Sequence, residues 1–166
     1  MSISHVFFSF WRKVSLPFLT IALLIIYVTF PDNVAVHHNE AGNPDRFMSK
    51  QDVFYVFVAV AGIFNLLVLS LKATIKKLDF AKLNVESPWT KSEGLSPMIQ
   101  AWFDAFIAIV NSFLAIVLIA ISRINRTDGQ VLDINYNWVL IGGAIILMIL
   151  IFYLPVRLLF TKPSHE

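Results

Sequence analysis

Four apolar stretches, Val14–Phe30, Val53–Leu71, Met98–Ile121 and Trp138–Leu154, leave this chain few ways to fold. The shortest holds about 17 residues, near the minimum that crosses a hydrocarbon core of about 30 Å, and the third can cross it with tilt. With 57% of its 166 residues hydrophobic, too little polar sequence remains to coat a soluble globule. Hydrocarbon offers the backbone no hydrogen-bond partners, so each span must satisfy its own amides and carbonyls, as a helix does. The spans are continuous apolar runs, unlike the short alternating segments of a membrane barrel. The expected product is an all-α polytopic membrane protein, a single four-transmembrane-helix bundle over residues 1–166.

The absence of cysteine excludes disulfide frameworks, thiolate zinc sites and thiol redox chemistry. The net charge of +2 is modest and belongs to loops beside a membrane, so no nucleic-acid partner is implied. Sorting the charges by side says more. Arg12 and Lys13 precede the first span, Lys72, Lys76, Lys77, Lys82 and Lys91 lie between the second and third, and Arg157 and Lys162 follow the fourth. Most of the 13 basic residues thus fall on one side, against Arg46, Lys50, Arg123 and Arg126 on the other. The positive-inside bias then places both termini and the middle loop in the cytoplasm. Trp11, Trp102 and Tyr153 mark the inner interface on this reading, and Tyr27, Tyr55 and Trp138 the outer one. No small-x-small cleavage signal follows the first span, which therefore reads as a retained anchor. Asn125-Arg126-Thr127 has glycosylation spacing, a short motif with a high false-positive risk.

Turn formers organise the connectors. The outer loop covers residues 31–52. Pro31 cannot donate its backbone hydrogen bond and is a natural stop for the first helix, and Ala41-Gly42-Asn43-Pro44-Asp45 is a strong turn signal. Ser49 with Asp52 has the spacing of an acidic capping box for the second helix. The cytoplasmic loop covers residues 72–97. Leu71, Ile75 and Leu78 fall on one helical face, so the second helix continues into this loop among its lysines. Ser87-Pro88 breaks that pattern, Gly94 marks a bend, and Ser96-Pro97 resembles a cap followed by proline at the first helical position. Asp133 through Asn137 caps the fourth helix, Gly142-Gly143-Ala144 gives it a small-residue patch for close packing, and Pro155 kinks or ends it.

Asp104 needs an account, because a charge in a bilayer is costly and its own span holds no basic partner. Counted from the ends of the apolar stretches, Asn65 and Asp104 have about the same depth, roughly 9 Å at 1.5 Å per residue. Antiparallel neighbours would therefore set Asn65 against Asp104. Asn111 lies seven residues beyond Asp104 on nearly the same face, and Thr20 of the first helix has comparable depth. Asn65, Asp104 and Asn111 are read as one intramembrane polar seam. It serves either as a protonatable ion path or as a packing contact, hydrogen-bonded and neutralised by desolvation. The outer half offers almost no further polar groups to a transport route.

Residues 31–50 carry a signature: Pro31, Val34, His37, Asn39, Gly42, Pro44, Asp45, Phe47 and Lys50. This loop resembles the outer-loop domain of unknown function at the front of SdpI-type bacteriocin-immunity membrane proteins, with His38 standing where that family usually has an aromatic residue. The resemblance implies immunity or signal relay for some members. The last two spans show no pattern that ties them to the family's second half. For metal, the weak candidates are His38 and Glu40, which share a face in extended chain, with Asp32 or Asp45 needed to complete a set. The simpler reading joins His37, Asn39 and Asp45 by hydrogen bonds around the turn.

No HExxH spacing and no nucleophile constellation occurs, so no enzyme, no cofactor and no soluble substrate are expected. The leading expectation is an accessory subunit of a larger membrane complex, in contact with lipid and with other membrane protein subunits. An immunity or relay protein acting through the outer loop is the second, and small-solute or proton transport through Asp104 the third.

Overall fold

The computed structural model describes residues 3–78, 95–132 and 135–160. Four helices dominate it: α1 (Ile3–Thr29), α2 (Lys50–Lys77), α3 (Leu95–Ile124) and α4 (Asn137–Phe160). Each contains a stretch long and apolar enough to cross a membrane, from 21 residues in α4 to 28 in α2 and α3. The chain is a multi-pass membrane protein. Its surface agrees: Leu24, Leu66, Leu67, Ile149 and Leu159 are among many large apolar side chains left bare on the outside, where lipid is their solvent.

Two expectations need correction. The outer loop forms a β-hairpin, β1 (Asn33–His38) paired antiparallel with β2 (Pro44–Ser49), so the protein is not all-α as expected. Backbone groups held clear of the helices still need partners, and an antiparallel ladder supplies them within few residues. Of the two outcomes expected at Pro155, an end to α4 does not occur, since the helix runs on to Phe160. Helices in a membrane tolerate proline because neighbouring groups satisfy the freed carbonyl.

Other local signals act as their chemistry demands. α1 stops at Thr29, two residues before Pro31. Ser49 caps α2, its hydroxyl oxygen accepting from the Asp52 N–H at 3.1 Å while the Asp52 carboxylate accepts from that hydroxyl at 2.7 Å. Asn135 begins the α4 turn by accepting from the Asn137 N–H at 2.8 Å. α2 extends through Ile75 to Lys77. α3 instead begins at Leu95, so Ser96 lies inside its first turn rather than capping it, and Pro97 is its third residue. The expected break at Ser87-Pro88, the bend at Gly94 and the contribution of Asp133 fall outside the described residues.

α3 is the central element, with 39% of its most apolar window buried against 6% for α4. α1 lies parallel to it, since Arg12 meets Asp104 and Thr29 meets Ser122. α2 and α4 run antiparallel to it, through Asn65–Asn111 and through Trp102, whose Nε1 donates to the Leu150 carbonyl at 2.7 Å. Leu19, Ala22, Ile26, Ala61, Ala115 and Leu118 form the principal core, and Val34 of the hairpin closes it with no exposure at all. The hairpin is therefore part of the packed core at one end of the bundle. The start of α1, the end of α2, the start of α3 and the end of α4 lie at the other, the terminal end.

Candidate functional site

Two polar constellations stand out, one on the hairpin and one inside the bundle. On the hairpin, Asn39 organises the turn. Its side-chain oxygen accepts from the N–H groups of Ala41 and Asn43, both at 3.0 Å, while its backbone exchanges bonds with Gly42 and Asn43. Gly42 adopts φ +80°, and a Cβ there would lie 3.0 Å from the Leu132 carbonyl oxygen, so glycine is needed for both conformation and clearance. The Leu132 N–H donates to the Gly42 carbonyl at 2.9 Å, tying the turn to the α3–α4 connection.

The strands do not follow simple alternation. Ala35 pairs with Phe47 and His37 with Arg46, so the ladder is irregular around Val36. This bulge sends the two histidines different ways. His37 Nδ1 lies 2.5 Å from Asp45 Oδ1 across the hairpin, and His38 Nε2 bonds the Gln130 carbonyl at 2.8 Å. The Asp45 carboxyl is held below its ordinary value of 3.8, first by the hydrogen bond from His37, which outweighs the opposing desolvation, and then by the charge of His37, a backbone hydrogen bond and the charge of Arg46. His37 and Asp45 thus bond each other, Asn39 bonds the backbone of the turn instead of either of them, and His38 is engaged by Gln130. Among the described residues no three His, Asp or Glu side chains converge as metal ligands.

Sequence reasoning missed what fastens the hairpin. The Asn125 amide accepts from the Ala35 N–H at 2.7 Å and donates to the carbonyls of Ala35 and Ile121. Gln130 accepts from the same Ala35 N–H at 2.9 Å and donates to the Asn33 carbonyl at 3.0 Å. These two side chains occupy the edge of β1 that β2 leaves open. Asn125, only 4% exposed, has its amide fully engaged and is no acceptor for a glycan in the folded protein. Nothing in the sequence linked either residue to a segment about 90 positions upstream.

Inside the bundle, the expected pairing of Asn65 with Asp104 is replaced by another. Asn65 and Asn111 exchange two hydrogen bonds, at 2.8 and 3.0 Å. Asp104, two turns nearer the terminal end, is met at Oδ1 by Arg12 Nε at 2.5 Å and by Lys72 Nζ. Residues 65 and 72 on α2 thus face 111 and 104 on α3, a displacement of about 10 Å from the alignment that the apolar ends suggested. The physical reason is charge: an ammonium and a guanidinium stabilise a buried carboxylate far better than a neutral amide does. Arg12 and Lys72 therefore lie within α1 and α2 rather than in flanking loops. Thr20 takes no part, its hydroxyl bonding the Leu16 carbonyl on an exposed face.

Comparison with known proteins adds one finding. Residues 16–62 match the family model described as a domain of unknown function (DUF1648). The match runs from Leu16 in α1 through the whole hairpin to Gly62 in α2. It leaves out Asn125 and Gln130, which hold the hairpin down, and the Arg12–Asp104–Lys72 cluster. The chain matches no curated protein and no solved structure.

Proposed function

We propose that this chain is a non-catalytic interaction protein, a subunit of a larger membrane assembly in a bacterial inner membrane, with both termini in the cytoplasm. The observation that carries the reading is α4. It packs on α3, yet only 6% of its most apolar window is covered. Gly143 faces the Phe113 ring, whereas Gly142, one position before it, has no atom within 4 Å of where a side chain would start. A helix with a bare glycine can take a neighbouring helix at close range, and packing at such contacts is the main attraction between helices in lipid. The interior supports the same reading, since mid-bundle Asn65 and Asn111 are spent on each other and Asp104 on two cations. A transport route has little to work with there.

Purification from the native membrane in a mild detergent tests the proposal. Stoichiometric co-migration with a larger assembly is expected, and its loss in Gly142→Leu. A free monomer or homodimer under those conditions argues against it.

A second reading, immunity or signal relay of the SdpI type, draws on the hairpin. Phe47 and Met48 are exposed on a strand with one open edge, on a platform fixed to the bundle, and the family match covers that platform. Deleting the gene and challenging cells with their own toxic peptides is its test. Unchanged survival across the panel counts against it.

A further inference from the structure

Among the described residues, the terminal end of the bundle holds Arg12, Lys13, Lys72, Lys76 and Lys77, with Asp104 as its one described acidic group. The other described acids, Asp32, Glu40, Asp45, Asp52 and Asp128, lie at the hairpin end. Arg12 and Lys72 both address a single oxygen of Asp104, so the cluster keeps one positive charge in surplus where the carboxylate is 3% exposed. Such a surplus is costly in surroundings of low dielectric unless an anion offsets it.

Unspent donors accompany the surplus charge. Gln100 lies one helical turn from Asp104 on the same face of α3, and its Nε2 is buried without an acceptor. Arg12 Nε, close as it is to Asp104, lacks the alignment of a hydrogen bond, and its side chain remains 27% exposed. Lys72 is likewise 17% exposed, so the cluster is open on one side. A guanidinium and an ammonium that share one carboxylate, with an unspent amide N–H one helical turn away, are complementary to the oxygens of a phosphate group.

We propose that this opening between α1, α2 and α3 binds a phosphate group through Arg12, Lys72 and Gln100. Two sources share that chemistry: the headgroup of an anionic phospholipid, whose chains would lie along the bare apolar faces, and free inorganic phosphate.

The test uses the full chain in mild detergent, with phosphatidylglycerol, phosphatidylcholine and inorganic phosphate added separately, read by native mass spectrometry and thermal unfolding. Phosphatidylglycerol is expected to bind in preference to phosphatidylcholine and to raise Tm. Inorganic phosphate producing the whole shift would identify the free ion as the occupant instead. Lys72→Met leaves Arg12 and Asp104 as a neutral pair and should abolish the preference. Gln100→Leu, which leaves the ion pairs intact, should weaken binding about tenfold. Should one variant fail to fold, the other and the wild-type comparison still decide. Equal responses to both lipids with none to phosphate, or an undiminished preference in the variants that fold, would overturn the proposal.

Discussion

The side-chain amide of Asn125 meets the backbone of Ala35 as a neighbouring strand would, accepting from its N–H at 2.7 Å and donating to its carbonyl at 3.2 Å. A helix end thereby completes a sheet edge. The hairpin is thus bonded directly to the end of α3.

Asn125→Ala would leave the Ala35 carbonyl without its side-chain donor in a buried place, with the N–H served by Gln130 alone. The expected loss is about 1–3 kcal/mol, the cost of an unsatisfied buried group. Thermal unfolding in detergent measures it. Hydrogen exchange should place the damage at the Ala35 amide and leave mid-bundle amides of α3 protected. Asn125→Asp should be comparably harmful, because it presents a carboxylate to the Ala35 carbonyl.

Asn65 and Asn111 make a reciprocal pair, so single and double replacements should differ in kind. Asn65→Leu leaves one buried amide orphaned and should cost about 1–3 kcal/mol. Replacing both residues by leucine removes the orphan, and the double variant should be less destabilised than the two single losses added together. A double-mutant cycle in a reversible detergent unfolding assay checks this. Strict additivity would mean that the pair does not exist in the membrane.

The Arg12–Asp104–Lys72 cluster predicts an asymmetry. Asp104→Leu strands two cations and should cost about 3–5 kcal/mol, less whatever their partial exposure to solvent recovers. Arg12→Leu leaves a balanced Lys72–Asp104 pair and should be milder. Comparing the two by thermal unfolding is enough. Equal losses would show that the carboxylate is not shared.

The outline of this protein was legible because it rests on composition and length. Four apolar runs dictate four helices once water is replaced by lipid, and Pro31, Ser49 and Gly42 act locally through their own backbone chemistry. The pairing of the polar residues was not legible. Asn65 and Asp104 were aligned from the ends of the apolar stretches, but Arg12 and Lys72 project their charged groups into the bundle and shift the match by two turns. The hairpin was hidden for a related reason. Its partners, Asn125 and Gln130, lie far along the chain, and the bulge at Val36 breaks the alternation that marks a strand. Local signals carry caps and turns, whereas long-range register depends on contacts that no short segment contains.

His37 and Asp45 predict an acid response confined to the hairpin. Asp45 is held below its ordinary value of 3.8 by the His37 hydrogen bond, so its contribution is complete above that pH and is lost as pH falls through the lower folded value. A carbon-detected NMR titration of the Asp45 carboxyl should give a midpoint below 3.8 in the wild type, returning toward 3.8 in His37→Ala. An unchanged midpoint would mean that the two side chains are apart in solution.

The two adjacent glycines of α4 separate packing within the protein from contact outside it. A methyl at Gly143 would overlap the Phe113 ring, so Gly143→Ala must turn that ring or push α4 away from α3. A methyl at Gly142 meets nothing within the chain. Since alanine is favoured over glycine in a helix by about 1 kcal/mol, Gly142→Ala should leave the isolated protein as stable or slightly more so. Gly143→Ala should lower its Tm. Cysteine crosslinking between Trp102 and Leu150 positions, efficient in Gly142→Ala and reduced in Gly143→Ala, would localise the loss to the α3–α4 seam. If instead Gly142→Ala destabilised the purified monomer, α4 would have to pack on this chain in a way other than the one seen here, and its bare face would lose its meaning as a site for a neighbouring helix.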